Sequence, residues 1–315
     1  MKAAILEQYG STPRYGDFEE PVAGDGGEIA EVLAAALNPS DLTRALGPGK
    51  FFIAPPPVPY VVGREGVVRL RDGRRMYFGN VQGRYGACAE RCAVDVGSLV
   101  ELPEGLDDAL ATALGTSGTG WLALEWRAQL ARGETVVILG ATGTVGEIAI
   151  QAAKLMGARR VVAIGRSPER LERALLRGAD ATVELDAVED LGQAVAEACE
   201  GGYDVLLDPL WGEPLARVLP AANPGARIVQ IGQSANPDAA LASGPIRGKM
   251  LSILGYTSFN KLVPATRRKA CFGEMLEHAA AGRLLVEVER VPLPEAPGAW
   301  ERQRTSPGAK LVITP

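Results

Sequence analysis

Between residues 135 and 256 the chain alternates two hydrophobic patterns. One is a short, continuously apolar run: TVVILG (135–140), RVVAIG (160–165), ATVEL (181–185), DVLLDPL (204–210), RIVQIG (227–232) and LSILGY (251–256). Runs of this length without polar alternation predict strands covered on both faces. The other pattern is apolar at helical spacing. Val145, Ala149, Ala152 and Met156 share one face, and Gly157 stops that helix. Ser167 caps a second helix, Pro168 suits its first position and Gly178 closes it. Strands joined by crossover helices predict an α/β fold, a Rossmann-type doubly wound parallel six-stranded sheet.

The flanks read differently. Up to residue 111 the chain is rich in Gly and Pro, with short strand-like runs such as AAILEQY, GEIAEVLAAAL and GVVRL. Asp72-Gly73 between VVRL and RRMYF is a hairpin signal. These features predict an irregular, mostly antiparallel β domain. After residue 256 comes one helical segment, about 265–282, then short strands ending in AKLVITP. This tail is expected to rejoin the first domain, so residues 1–111 and 257–315 form one domain in two parts around 112–256. APPPVP (54–59) reads as a stiff surface loop.

At 315 residues the chain has room for two domains and a large core. Its formal charge of −5 leaves no electrostatic footprint for nucleic acid. No apolar stretch reaches the length of a membrane span, and MKAAILEQYG lacks the features of a signal peptide, so the expected location is cytoplasmic. Four cysteines are too scattered for a disulfide framework, and His278 is the only histidine. Cys88 and Cys92 are a close pair, but a tetrahedral zinc site needs four good ligands, so no metal is expected and the pair reads as small buried hydrophobes.

The turn after TVVILG carries the chemistry. Ala141-Thr142-Gly143-Thr144-Val145-Gly146 has the spacing of a dinucleotide fingerprint with Ala in the first slot. Gly143 lets the backbone approach a pyrophosphate, Gly146 lets the helix pack on the sheet, and the phosphates sit on amides at the helix N-terminus. A plain strand–helix turn uses similar residues, but the position between a strand and a helix is the one the fingerprint requires. About 20 residues further on, an NAD site wants a carboxylate for the ribose hydroxyls. Here the chain offers Gly165, Arg166 and Ser167, with Arg170 one turn later. A carboxylate would repel a 2′-phosphate, whereas a guanidinium binds one with charge-assisted, bidentate hydrogen bonds. The expected cofactor is NADPH.

The string GATGTVGEIAIQAAKLMGARRVVAIGRSPERLERALLRGAD resembles the cofactor half of the medium-chain dehydrogenase/reductase superfamily. LNPSD (37–41), VGREG (62–66), GACAE (86–90), GTGWLAL (118–124), YDVLLDPL (203–210) and GARIVQIG (225–232) fit in register, so the resemblance spans nearly the whole chain. It implies a split catalytic domain resembling a partial barrel. It also places Gly232, which closes GARIVQIG, at the cofactor. Where zinc-dependent members carry metal ligands, this chain has Asn38-Pro39-Ser40-Asp41, Gly63-Arg64-Glu65 and Leu114-Gly115-Thr116. The cluster of four cysteines that holds structural zinc is absent too. Asn38-Pro39-Ser40-Asp41 is similar to the Asn-Pro-x-Asp motif of the zinc-free quinone oxidoreductase branch and to the same segment of enoyl thioester reductases. The resemblance implies that Asn38 lies near the nicotinamide and the substrate carbonyl, and that Thr119 belongs to the nicotinamide pocket. It gives Asp41 a bracing role and Glu65 a structural one, and sets Arg304 and Lys310 near the cofactor phosphate.

Without a metal, alcohol oxidation lacks a Lewis acid, whereas hydride addition to an electron-poor acceptor needs only a few hydrogen-bond donors. The expected activity is reduction of a quinone or an activated alkene. Asn38, Tyr60 and backbone amides are the candidate donors. Enoyl thioester reductases place a tyrosine soon after the Asn-Pro-Ser-Asp segment; here Phe51 and Phe52 stand there and suggest an apolar pocket wall. The hairpin after Gly-x-Glu is trimmed relative to that family. An enoyl thioester reductase and a non-catalytic NADPH-binding or structural protein remain as alternatives. The resemblance, together with an otherwise exposed apolar strand, makes LSILGY the expected edge strand of a homodimer.

Overall fold

Lys2–Leu6 opens the chain as β1, followed by β2 (Arg14–Asp17), β3 (Gly27–Ala36), α1 (Pro39–Ala45), β4 (Tyr60–Val61), β5 (Gly66–Arg69), β6 (Arg75–Phe78), β7 (Arg91–Asp95), β8 (Val100–Glu101) and α2 (Asp108–Leu114). In β1 every residue after Lys2 is buried, and the strand joins β2 and β4 in a small antiparallel sheet. The computed structural model describes every residue except Phe52 and Lys261.

The middle of the chain continues with α3 (Thr119–Leu122), β9 (Thr135–Ile138), α4 (Thr144–Leu155), β10 (Arg160–Gly165), α5 (Pro168–Leu176), β11 (Ala181–Glu184), α6 (Leu191–Ala198), β12 (Tyr203–Asp208), α7 (Glu213–Val218), β13 (Ala222–Gln230), α8 (Ser243–Gly248), β14 (Ser252–Gly255) and α9 (Ala265–Ala280). The tail adds β15 (Val288–Pro292), α10 (Ala296–Gln303) and β16 (Lys310–Thr314).

Two compact units result. Met1–Thr116 and Phe272–Pro315 form the first, and Ser117–Cys271 the second. The sequence pattern puts the boundaries at 111/112 and 256/257. Residues 257–271 lie in the second unit, where Ser258 accepts a 3.3 Å hydrogen bond from Thr119 and Arg267 pairs with Glu125.

In the first unit the main sheet runs β15-β16-β3-β5-β6-β8, with β7 also on β3. Only β15 and β16 pair in parallel. The Asp72-Gly73 hairpin joins β5 to β6, with Gly73 at φ +89° as such a turn requires. Leu6, Val32, Val68, Phe78, Val94, Leu311 and Ile313 share one core with Trp300 of α10. Cys88 and Cys92 are buried in that core, and burial pushes both thiols far up. Only Cys92 lies on a strand.

The second unit holds the parallel sheet, ordered β11-β10-β9-β12-β13-β14. All six apolar runs became strands of it. Val136, Val137, Ile138, Val161, Val162, Ala163 and Ile164 have no exposed surface, as strands covered on both faces should. The chain leaves β9 in one direction and returns at β12 to run the other way. The C-terminal ends of β9 and β12 therefore flank a topological switch point. Among the described residues no helix is long and apolar enough to cross a membrane.

Gly66 shows how tightly β3 and β5 approach. A Cβ there would lie 2.1 Å from the Ala34 carbonyl oxygen. Backbone atoms on a paired strand cannot yield to it. Gly66→Ala is expected to cost about 2 kcal/mol or more, read as a lower urea midpoint with an unchanged slope.

Candidate active site

The first unit buries an unusual amount of charge. Asp41, Arg64, Glu65 and Lys310 are each less than 5% exposed. Ionised groups are rarely buried unless paired and hydrogen-bonded. Glu65, which directly precedes β5, is the hub. Its Oε1 accepts from Asn38 Nδ2 at 2.8 Å. Its Oε2 accepts from the Tyr77 hydroxyl at 2.7 Å, the Thr116 amide at 2.9 Å and the Thr116 hydroxyl at 2.7 Å. Asn38 in turn accepts a hydrogen bond on Oδ1 from the Lys310 ammonium.

Local sequence explains each placement. Asn38 is the N-cap of α1, with Pro39 following, and the Asp41 carboxylate reaches back to accept from the Asn38 backbone N–H at 2.9 Å. This capping-box contact fixes the helix start, and the Asn38 side chain also meets Glu65 and Lys310. Tyr77 points inward from the middle of β6 and stacks on Phe272, with ring centroids 4.0 Å apart. Thr116 follows α2 through Gly115. A Cβ at Gly115 would sit 2.3 Å from the Tyr77 hydroxyl and 2.7 Å from Glu65 Oε2, so only glycine fits there. Lys310 is the first residue of β16.

The electrostatics follow from burial. Burial pushes the Lys310 ammonium down from its usual value, and the charges of Glu65 and Asp41 pull it back up. Burial pushes the Asp41 carboxyl up, opposed first by Arg64. The Tyr77 hydroxyl is held well above its usual value by burial and then by Glu65.

In the second unit the fingerprint turn behaves as its glycines require. Gly143 is the N-cap of α4. A Cβ at Gly146 would lie 2.5 Å from Ala141 Cα and 2.7 Å from the Gly140 oxygen, so helix and turn touch backbone to backbone. Ala141 donates to the Ile164 carbonyl at 2.9 Å. A Cβ at Gly165 would lie 2.4 Å from Thr142 Cγ2, so the end of β10 packs on the fingerprint. Arg166 and Ser167 follow at once, and Arg166 is exposed. Ser167 caps α5, its hydroxyl accepting from the Arg170 amide at 3.4 Å. Gly232 joins the same edge: a Cβ there would meet the Pro209 oxygen at 2.7 Å, and Pro209 also lies against Gly140. The loops after β9, β12 and β13 thus converge at the switch point. Thr119 opens α3, and Gly120 brings that helix against α4, its missing Cβ falling 2.9 Å from the Val145 oxygen. The amides of Thr144, Val145 and Gly146 in the first turn of α4, with Thr142, Arg166 and Ser167 beside them, form a donor set that fits a phosphorylated dinucleotide.

The other expected residues belong to the first unit. Lys310, expected near a cofactor phosphate, is buried in the first unit on Asn38. Arg304 is exposed at the end of α10 and pairs with Glu301 at 3.1 Å. Tyr60 belongs to the hydrophobic core, and burial pushes its hydroxyl up to about 12. Phe51 is half-buried; Phe52 lies outside the described residues. Among the described residues no group of three or more His, Cys, Asp and Glu side chains is placed to hold a metal ion. Sequence reasoning misses Tyr77 and Thr116 as partners of Glu65. Thr116 stands out only as a replaced ligand position, and Tyr77 carries no motif.

Residues 144–278 match the family model described as zinc-binding dehydrogenase. The quinone oxidoreductase from Thermus thermophilus, solved with its NADPH complex, superposes with a TM-score of 0.85 at 30% identity, covering 100% of both chains. A phenolphthiocerol/phthiocerol polyketide synthase chain from Mycobacterium tuberculosis is 32% identical over 275 residues, 84% of this chain. The chain spans only 12% of the length of that synthase. The 2-methylene-furan-3-one reductase of Solanum lycopersicum is 29% identical over 93% of this chain and 80% of its own. The chain belongs to the medium-chain dehydrogenase/reductase superfamily, in its quinone oxidoreductase-like branch.

Removing Glu65 orphans four donor groups and unbalances two buried cations. Glu65→Ala is expected to cost about 3–5 kcal/mol. Glu65→Gln is expected to cost nearly as much, because its amide NH2 must face either Asn38 or the Tyr77 and Thr116 donors. Chemical denaturation of both variants checks this; a Glu65→Gln variant as stable as the parent would contradict it.

Proposed function

We propose that the protein is a zinc-independent, NADPH-dependent reductase that transfers hydride to a quinone or to an alkene conjugated with a carbonyl. The observation that carries the cofactor reading is the packing of Gly165 on Thr142, which sets Arg166 and Ser167 beside the fingerprint turn. When bound there, the cofactor supplies the hydride. The chain's own residues bind and orient. First-turn amides of α4 take the pyrophosphate, and Arg166 with the Ser167 hydroxyl takes the 2′-phosphate. In the first unit Asn38 is the donor to the acceptor oxygen. Glu65 takes one of its two Nδ2 hydrogens, and the second serves the oxygen that gains charge. The relatives named as a quinone oxidoreductase and a furanone reductase support this acceptor class. An enoyl thioester remains the second substrate reading, favoured by the likeness to the polyketide synthase.

The protein acts as a cytoplasmic homodimer in this reading. β14 forms one edge of the parallel sheet, with Ile253 37% exposed on it and Met250 80% exposed just before it.

NADPH oxidation is expected with a quinone or an enone, far faster than NADH oxidation. Arg166→Ala is expected to raise the KM for NADPH about tenfold or more while leaving NADH use unchanged, since a charge-assisted bond contributes roughly 1.5–3 kcal/mol. Equal loss with both cofactors would remove Arg166 from the 2′-phosphate. Sedimentation should report a dimer that Ile253→Lys dissociates; a parent protein that sediments as a monomer would end that part of the reading.

A further inference from the structure

The Asn38 side chain lies between two groups of opposite hydrogen-bonding character. The Lys310 ammonium can only donate, and it meets Oδ1. The Glu65 carboxylate accepts, and it meets Nδ2 at 2.8 Å. Turning the amide by 180° would set NH2 against ammonium and C=O against carboxylate. Glu65 itself cannot turn to follow, because Tyr77 and Thr116 hold its other oxygen. The orientation of the Asn38 amide is therefore determined from both sides. Lys310 is held in turn by its strand: Val312 and Ile313 of β16 pair with Ala36 and Ala35 of β3, and the Leu37 amide donates to the Leu311 carbonyl at 3.1 Å, one residue before Asn38.

We infer that Lys310 is a positioning residue: through Oδ1 it locks the Asn38 amide so that the Nδ2 hydrogen not taken by Glu65 is aimed at the acceptor oxygen. The ammonium also draws electron density through the amide and strengthens that hydrogen as a donor. The role at the acceptor oxygen rests on the reductase reading above; the locking of the amide does not. Nothing in this role involves the cofactor phosphate.

The chain contains five asparagines, so selective 15N-asparagine labelling gives five side-chain amide pairs, and Asn38→Ala identifies the pair of residue 38. In the parent protein that pair is expected to be resolved and protected from solvent exchange. In Lys310→Met it is expected to shift and lose protection; an unchanged pair would overturn the inference without any reference to activity. In turnover, Lys310→Met is expected to lower kcat about 10–100-fold, with the Kd for NADPH, measured by fluorescence, unchanged. Added to Asn38→Ala, Lys310→Met is expected to cause no further loss, because it acts through the amide. Independent, multiplying losses or a weakened NADPH Kd would overturn the role. If Lys310→Met fails to fold, Lys310→Gln keeps a neutral donor of similar reach. It is expected to retain the protected pair and an intermediate kcat, and a loss of the pair with full kcat would count against the inference. A parent protein that turns over no quinone, enone or enoyl thioester would sink the reductase reading, while the amide signals still decide whether Lys310 locks Asn38.

Discussion

The carboxylate of Glu65 is the constraint on which the first unit's site depends. It is buried, and it accepts four hydrogen bonds from three segments far apart in sequence: the cap of α1, the middle of β6 and the turn after α2. A charge taken out of water must find such partners or stay neutral. That demand reaches outward. It leaves no room for a Cβ at Gly115, it selects a hydroxyl at 116, and it sets which end of the Asn38 amide faces inward. Arg64 and Lys310 set two basic side chains beside the two acidic ones, Glu65 and Asp41.

The nucleotide unit solves a different problem by different means. Its site is made of backbone rather than of charged side chains. Gly146, Gly165 and Gly232 matter because other atoms already occupy the space a Cβ would need. The resulting turn presents amides at the N-terminus of a 12-residue helix, where they act as a diffuse positive pole. Side-chain charge enters only beyond β10, at Arg166. One unit thus presents an exposed guanidinium beside backbone donors, the other a closed network that holds a single amide.

This difference decides what was legible in the sequence. The parallel sheet was read strand for strand, because strands buried on both faces leave continuous apolar runs and their turns carry glycines at fixed spacing. The Asp72-Gly73 hairpin was legible for the same local reason. The polar cluster was not. Asn38 and Glu65 carry motifs and stand out, but Tyr77 is one aromatic residue on a half-apolar strand, and its hydrogen bond spans 12 positions. Lys310 lies 272 residues from Asn38, and no spacing rule connects them. It is the pairing of β16 with β3 that sets it beside the cap of α1. Thr119 and Ser258 likewise meet across 139 residues, a contact no local pattern announces.

The positions of the cluster bear on its chemistry. Asn38, Arg64 and Thr116 stand where zinc-dependent relatives are expected to carry ligands, and two of the three now donate to Glu65. Zinc requires thiolate, neutral imidazole or carboxylate donors. An amide, a guanidinium and a hydroxyl are poor substitutes, and a guanidinium stays cationic at any pH a protein survives. These positions instead belong to a cluster of two acidic and two basic side chains with hydrogen bonds between neighbours. A metal would have to break those bonds and add charge to the site. On the proposed reading, what the network offers in place of a Lewis acid is a donor of fixed direction. That is enough for an acceptor already disposed to take up a hydride and too little to stabilise an isolated alkoxide. The replacement of ligands by hydrogen-bonding side chains and the proposed choice of an electron-poor acceptor are then one change rather than two.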